Sequence, residues 1–176
     1  MLPSLIGDGV LDELVEMARG TPPGAFVEVG VYQGGSAQRL LAVGRELWLF
    51  DTFTGIPFQG PDDRHAVGDF SDVDFEGVAA ALAPAHLVRG VFPDTFTPEV
   101  AQAVGPVAFV HVDCDQYESV RACILRLAPR LVPGGVMWFD DLDLPGADRA
   151  AREELGMGLI RSKTGKWFHV RGANAN

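Results

Sequence analysis

Short, nearly continuous apolar runs alternate along the chain with longer segments in which apolar residues recur every three or four positions. The apolar runs predict strands at residues 25–29, 47–50, 86–89, 107–112 and 136–139. The segments between them predict helices at residues 36–43, 73–82, 96–104 and 117–131. Strands without polar alternation are typical of a parallel sheet that helices cover on both faces, so the pattern predicts an α/β doubly wound fold.

The two ends of the chain add to this pattern. Near the N-terminus, within residues 1–24, a helix is predicted whose buried stripe contains Leu11, Leu14, Val15 and Ala18. Near the C-terminus, a helical stretch over residues 148–155 precedes two short apolar runs, at 159–161 and 167–170. The turn between these runs, at Thr164-Gly165, is so short that the two strands should pair antiparallel.

Length and charge restrict what the chain can be. It has 176 residues, 47% of them hydrophobic, which is enough to bury a core, and we predict a single domain over residues 1–176. The formal net charge of −10 would repel a polyanion, because nucleic-acid binding depends on Lys and Arg side chains that neutralise phosphates. We therefore expect neither nucleic acid nor an anionic membrane as a partner.

The expected compartment follows from the cysteines and the N-terminus. Cys114 and Cys123 are too few for a disulfide framework and have no CxxC spacing. The first 19 residues contain no apolar run long enough for a signal peptide or a membrane span. We therefore expect free thiols and a cytoplasmic location.

A glycine-containing turn follows the first predicted strand, in the sequence FVEVGVYQGGS. Ligands of doubly wound sheets bind at such turns, outside the carboxyl ends of the strands. A dinucleotide site would need a second glycine two residues after Gly30, where Tyr32 stands instead, so a nucleoside without pyrophosphate is favoured. Asp51, at the end of the second strand, would accept hydrogen bonds from the ribose hydroxyls. The alternative is that the glycines only pack the helix and Asp51 only forms a turn.

Three aspartates follow two further strands. Asp113 ends the fourth strand, and Asp140 and Asp141 end the fifth. If these strands are neighbours, their tips lie about 5 Å apart, and carboxylates so close together raise one another's pKa or require a cation. Hard oxygen ligands suit Mg²⁺ or Ca²⁺. The alternative is that all three are solvated acids at strand ends.

Two further segments contain charged residues that could belong to the site: residues 115–118 and the stretch 55–70. The sequence Asp115-Gln116-Tyr117-Glu118 looks like a capping box, so Asp115 is predicted chiefly to cap the following helix. Residues 55–70 show no periodicity and are predicted to form a long loop near the active site. In that loop His65 is a candidate catalytic residue, although a charged loop is more often simply solvated.

These motifs together resemble the macrocin O-methyltransferase (TylF-like) family of class I S-adenosylmethionine-dependent methyltransferases. The resemblance covers residues 25–171, in the segments FVEVGVYQGGSA, LFDTFTGIP, GDF, RGVFPDTF, HVDCDQYESV, LVPGGVMWFDDLDLPGADRA and TGKWFHV. It implies a Rossmann-like seven-stranded sheet in the order 3-2-1-4-5-7-6, with strand 7 antiparallel.

The resemblance also implies what the site binds. It places Glu28 and Gly30 against the methionine part of S-adenosylmethionine and Asp51 against its ribose. It makes Asp113, Asp140 and Asp141 the ligands of Mg²⁺, and Asp113 a candidate base. The acceptor would be a hydroxylated small molecule such as a sugar of a natural product. The full set of predicted cofactor-binding residues is Glu28, Gly30, Tyr32, Gly34, Ser36, Asp51 and Thr52.

Several alternatives stay open at this point. Members of the family carry extra N-terminal helices and lid segments, whereas about two dozen residues precede the first strand here. We therefore expect an acceptor pocket that is either open or completed by a second subunit in a homo-oligomer. A methyltransferase-like module that binds the cofactor without catalysis is the main alternative function. A nucleotide-dependent oxidoreductase is a third, which Tyr32 disfavours.

Overall fold

The strands form one continuous sheet. The computed structural model describes residues 2–172, so Met1 and residues 173–176 of the predicted domain lie outside the described residues. The strands are β1 (Ala25–Val29), β2 (Leu47–Asp51), β3 (His86–Arg89), β4 (Val107–Val112), β5 (Leu131–Phe139), β6 (Leu159–Arg161) and β7 (Trp167–Val170). Their order is β3-β2-β1-β4-β5-β7-β6, and β7 runs antiparallel to both of its neighbours. The predicted doubly wound sheet, its order and its antiparallel strand are confirmed.

Helices cover both faces of this sheet. They are α1 (Asp8–Arg19), α2 (Gly35–Leu41), α3 (Phe75–Leu82), α4 (Pro98–Val104), α5 (Tyr117–Leu127) and α6 (Pro145–Leu155). On one face α1, α2 and α3 contribute Leu14, Leu40 and Leu82 to a buried cluster. On the other face α4, α5 and α6 contribute Val104, Ile124 and Ala151 to a second cluster. Both faces of the central strands are therefore buried, which explains why their sequences are apolar throughout.

The boundary between α5 and β5 differs from the prediction. The helix was expected to continue to Leu131 and the strand to begin at Val136, but α5 ends at Leu127 and β5 already begins at Leu131. Pro129 lies between them in a short 3₁₀ turn, and the α-helix ends there because proline has no N–H to donate to the carbonyl four residues earlier. The glycines of β5 stay in the sheet, since Gly134 donates to the carbonyl of Arg171 over 2.8 Å.

The strand order brings three carboxyl ends together. Val112 and Phe139, the last residues of β4 and β5, are register partners. Asp113 directly follows β4, and Asp140 directly follows β5. The N–H of Asp140 donates to the carbonyl of Val112 over 3.0 Å. The turn after β1 lies on the other side of β4, where Asp113 donates to the carbonyl of Val29 over 2.9 Å. Within residues 2–172, no helix is both long and apolar enough to span a membrane.

Candidate functional site

The three predicted metal ligands converge. One carboxylate oxygen from each of Asp113, Asp140 and Asp141 lies within 4.8 Å of the other two. Desolvation and the neighbouring carboxylates raise the pKa of Asp113 well above its ordinary value. Desolvation, Asp115 and Asp140 do the same for Asp141. The negative charge of these carboxylates is therefore not balanced by hydrogen-bond donors of the site. A bound cation would relieve the repulsion between them.

Asp140 differs from the other two in having a cationic partner. The ammonium group of Lys166 lies 3.0 Å from Oδ2 of Asp140. Its second oxygen, Oδ1, is buried and has no hydrogen-bond partner within residues 2–172. A buried acceptor without a donor is uncommon in folded proteins and is satisfied by water, a ligand or an ion. This orphaned oxygen and the set of hard oxygen donors fit a divalent cation such as Mg²⁺.

Asp115 joins this acidic group instead of capping a helix. The prediction that it caps the following helix is wrong: α5 begins one residue later than the sequence box requires, at Tyr117, with Gln116 at the N-cap position. Asp115 adopts a left-handed conformation, with φ of 60°, and lines the cavity. Desolvation raises the pKa of its carboxyl, although the nearby His65 lowers it in part.

The cap comes from the long loop. Oδ1 of Asp63 accepts a hydrogen bond from the N–H of Tyr117 over 2.8 Å, and Oδ2 accepts one from the N–H of Gly60 over 2.7 Å. The amide of Gln116 donates to the carbonyl of Phe58, and Arg149 forms an ion pair with Asp62. These contacts hold residues 58–63 against the start of α5 and against α6.

His65 lies where the long loop meets the cavity. Its Nε2 is 3.9 Å from Oδ1 of Asp115, and its Nδ1 is 3.7 Å from Oδ2 of Asp69. The ring also packs edge-on against Phe70, with 5.0 Å between centroids. The loop therefore presents an imidazole beside the acidic group, and the catalytic role of His65 stays a prediction.

The glycine turn is built around Asp51. Oδ2 of Asp51 accepts hydrogen bonds from the N–H groups of Val31 (2.6 Å) and Tyr32 (2.9 Å), and Oδ1 accepts one from the N–H of Phe53 over 2.7 Å. Gly30 has φ of +92°, and a Cβ atom there would lie 1.7 Å from the carbonyl oxygen of Asp113. The turn therefore requires glycine at this position. Asp51 organises the turn, as the alternative interpretation held, and its contact with ribose stays a prediction.

Glu28 does not reach the cavity. Its side chain is fully buried, and its Oε1 lies 2.7 Å from Nδ1 of His111, the register partner of Glu28 on β4. Gly34 also lies behind the surface, in a left-handed conformation under the side chain of Leu2. The predicted contacts of Glu28 and Gly34 with the cofactor stay predictions, and the structure gives Glu28 a partner in the core.

A cavity of about 400 Å³ connects the glycine turn with the acidic group. The predicted site residues Gly30, Tyr32, Ser36, Asp51, Thr52, His65, Asp113, Asp140 and Asp141 all line it. Parts of the long loop line it as well, together with Phe92 after β3 and the segment from Pro3 to Ile6. The structure thus brings together every predicted site residue except Glu28 and Gly34.

Lys166 and Asp115 are two residues of the cavity wall that sequence reasoning missed. The antiparallel register of β5 and β7 pairs Phe139 with Trp167. Lys166, which precedes Trp167, therefore lies beside Asp140, which follows Phe139. The implied strand order contained this information, because an antiparallel β7 must begin where β5 ends. Asp115 could have been found by placing the start of the helix at Tyr117 instead of Gln116.

Comparison with known proteins gives one family. Residues 4–155 match the family model described as Macrocin-O-methyltransferase (TylF), which confirms the resemblance. A relative from Streptomyces olivaceus, the 8-demethyl-8-(2,3-dimethoxy-alpha-L-rhamnosyl)-tetracenomycin-C 4'-O-methyltransferase, is 30% identical over 155 residues. The match covers 76% of this chain and 59% of the relative. The chain thus spans about three fifths of that relative's length.

Solved structures share the fold. CalS11, a calicheamicin methyltransferase, superimposes with a TM-score of 0.81 at 24% identity, covering 93% of this chain and 78% of the other. TomG, an O-methyltransferase from Streptomyces achromogenes involved in tomaymycin synthesis, was solved in complex with SAM. It superimposes with a TM-score of 0.61 at 13% identity, covering 95% of this chain and 82% of TomG. At these identities the likeness shows a common Rossmann-like methyltransferase fold.

Proposed function

The chain belongs to the macrocin O-methyltransferase (TylF) family, and on that basis we propose that it is an S-adenosylmethionine-dependent, divalent-metal-assisted O-methyltransferase. Its acceptor is a hydroxyl group of a small molecule, either a sugar or another natural product. The observation that carries the proposal is the convergence of Asp113, Asp140 and Asp141 within 4.8 Å, in the wall of a cavity that also contains the glycine turn.

The glycine turn and Asp51 form the cofactor side of this proposal. The cofactor supplies a methyl group on a sulfonium, which passes to an acceptor oxygen as the C–S bond breaks and the C–O bond forms. Gly30 lets the turn pack against the backbone of Asp113, and Ser36 and Thr52 line the same wall, although the Thr52 hydroxyl donates to the carbonyl of Gly55 over 2.7 Å. A carboxylate has about four acceptor positions, and Asp51 uses three of them on backbone N–H groups at 2.6–2.9 Å. The hydroxyl of Thr52 lies 3.4 Å from Oδ1 of Asp51, and in this proposal a ribose hydroxyl takes the place of that long contact.

The three aspartates form the metal side. Their hard oxygen ligands suit Mg²⁺, which when bound would lower the pKa of the acceptor hydroxyl and fix the direction of its oxygen. The chain itself supplies the negative charge that holds the cation and a wall that orients the acceptor. Orientation matters because in-line displacement requires the oxygen behind the methyl group.

Two residues are placed to receive the proton that the hydroxyl loses. We assign this role to Asp113, because its carboxylate lines the cavity beside the other two aspartates, within reach of an acceptor oxygen that the cation would hold. His65 lies beside the acidic group, with Nε2 at 3.9 Å from Oδ1 of Asp115, and is the second proton-accepting group. In this proposal Asp113 touches the acceptor directly and His65 acts from the loop.

The remaining parts of the proposal concern the whole protein. We propose that it works in the cytoplasm, because both cysteines are free and the composition favours a reducing compartment. We also propose that residues 1–176 form one domain, with an acceptor pocket that is either open or completed by a second subunit.

Calorimetry combined with a methylation assay tests the proposal. The protein is titrated with S-adenosylmethionine in Mg²⁺ and again in EDTA, and methyl transfer from labelled cofactor is measured on hydroxylated small molecules that include glycosides. We expect cofactor binding, one Mg²⁺ site per chain and methyl transfer that EDTA abolishes. A module that binds the cofactor without catalysis would instead bind it with no response to metal and no turnover on any acceptor.

A further inference from the structure

Lys166 contacts Asp140 at two points. Its Nζ atom lies 2.6 Å from the backbone carbonyl oxygen of Asp140 and 3.0 Å from Oδ2 of the same residue. The pairing of Phe139 with Trp167 fixes this arrangement, because Lys166 directly precedes β7 and Asp140 directly follows β5. One ammonium group therefore ties the main chain and the side chain of Asp140 together and restricts the rotation of the carboxylate.

This contact divides the Asp140 carboxylate into two unlike oxygens. Oδ2 is held by the ammonium group, whereas Oδ1 is buried without a partner in the described part of the chain. The side chain of Asp140 is 9% exposed and that of Lys166 is 26% exposed, so neither group is fully hydrated. One oxygen of this carboxylate lies within 4.8 Å of an oxygen of Asp113 and of Asp141, and the double contact with Lys166 keeps the carboxylate from rotating to bring its second oxygen to the same place.

We propose that Lys166 is a positioning residue that restricts Asp140 to a single ligand oxygen and thereby makes the site selective for Mg²⁺ over Ca²⁺. The proposal rests on the proposed function, since it requires a cation at the three aspartates. Mg²⁺ demands nearly octahedral geometry with short bonds, whereas Ca²⁺ takes six to eight ligands and accepts a carboxylate through both oxygens. A carboxylate held to one oxygen therefore suits the smaller ion.

The comparison of two ions separates this role from a simple effect of charge. Lys166 carries a positive charge beside Asp140, Asp141 and Asp143, so removing it changes the electrostatic attraction for any cation. Mg²⁺ and Ca²⁺ have the same charge and would occupy the same group, so that change cancels in the ratio of their dissociation constants. A shift in the ratio reports the geometry of Asp140.

Calorimetric titration of four proteins with Mg²⁺ and with Ca²⁺ tests the inference. The variants are Lys166→Met, which removes the ammonium group, Lys166→Arg, which keeps a charged donor, and Lys163→Met as a matched control. Lys163 has a side chain that is 82% exposed and lies 3.9 Å from Glu16, away from the cavity. We expect Lys166→Met to reduce the preference for Mg²⁺ about tenfold, the lower end of the loss in metal affinity that follows removal of a group that orients a metal ligand. Lys166→Arg should retain most of the preference and Lys163→Met all of it.

The outcomes separate this inference from the proposed function. If the unaltered protein binds Mg²⁺ and Lys166→Met keeps the same ratio within twofold, the inference is wrong and the metal site stands. If the unaltered protein binds neither ion, metal assistance is wrong and the inference falls with it. Thermal unfolding and binding of S-adenosylhomocysteine check that each variant is folded. Should Lys166→Met fail to fold, Lys166→Gln takes its place with the same expected direction.

Discussion

The negative charges of the carboxylates on the two sides of the cavity are stabilised in different ways. Asp51, at the tip of β2, accepts three hydrogen bonds of 2.6–2.9 Å from backbone N–H groups. Across β1, the aspartates after β4 and β5 have few donors, and the pKa values of Asp113 and Asp141 rise because of desolvation and mutual repulsion. The chain itself completes the environment of Asp51, whereas the aspartate group on the other side has an unbalanced charge.

This difference separates two kinds of binding. Backbone donors around Asp51 fix the glycine turn before any ligand arrives, so this side can receive neutral hydroxyl groups at little cost in ordering. The aspartate group instead has excess charge and an orphaned buried oxygen on Asp140, which a cation would satisfy. If this account is right, substitutions on the two sides should separate cofactor binding from metal binding.

Asp113→Ala should have the largest effect. It removes one of the three converging carboxylates, so we expect Mg²⁺ affinity to fall at least about 100-fold, or roughly 2.7 kcal/mol, and methyl transfer to be lost. S-adenosylhomocysteine affinity should change less than about threefold, because the glycine turn keeps its hydrogen bonds. Calorimetry with each ligand measures both quantities. Loss of both affinities together would contradict the separation of the two sides.

Asp51→Ala should have the opposite pattern and a somewhat smaller effect. Three backbone N–H groups lose their acceptor, and unsatisfied donors cost about 1–3 kcal/mol each unless water replaces the lost bond. We expect cofactor affinity to fall roughly 30-fold, about 2 kcal/mol, with Mg²⁺ affinity unchanged within twofold. Denaturant unfolding and calorimetry measure this, and Asp51→Asn, which keeps one oxygen acceptor, should lose less. A fall in Mg²⁺ affinity equal to that in cofactor affinity would count against the account.

The pH dependence of stability should give the smallest effect. Asp113 and Asp141 have raised pKa values when folded, against an unfolded value of about 3.9. In the window above that value the folded protein binds more protons than the unfolded chain, so without metal its stability falls as pH rises. We therefore expect the free energy of unfolding to fall steadily between pH 5 and pH 8.

Two controls sharpen that comparison. Saturating Mg²⁺ should flatten the profile, because the cation stabilises the ionised carboxylates of the folded state. Asp141→Asn should flatten it partly without any metal, since it removes one of the crowded charges. Denaturant unfolding at several pH values measures each curve. An Asp141→Asn profile as steep as that of the unaltered protein would show that these carboxylates do not govern it.

Sequence reasoning was most successful where the signal is local. The central strands were predicted because continuous apolar runs mark strands with both faces buried, as in Val107–Val112, where every residue is buried. The glycine turn was found because Gly30 allows a backbone approach that a side chain would prevent. The order of the sheet came from the family resemblance, and it brought Asp113 beside Asp140.

The misses involve contacts between residues far apart in sequence. Asp63 caps a helix that begins 54 residues later, and no local pattern in the loop indicates that. Glu28 has its partner 83 residues away, in His111, which only the register of β1 and β4 could reveal. Lys166 looks like part of a hairpin until β7 is laid antiparallel to β5. Local composition predicts elements, whereas the residues that orient the site depend on how those elements pair.

The central claim is that Asp113, Asp140 and Asp141 hold one divalent cation beside a nucleoside-binding cavity. Diffraction from crystals grown with Mn²⁺ and S-adenosylhomocysteine, recorded at a wavelength where manganese scatters anomalously, tests it directly. The account predicts one anomalous peak with an oxygen of each aspartate at about 2.0–2.5 Å, and the nucleoside beside Asp51. A map with no peak among the three aspartates, or with the metal bound at another place, would contradict it.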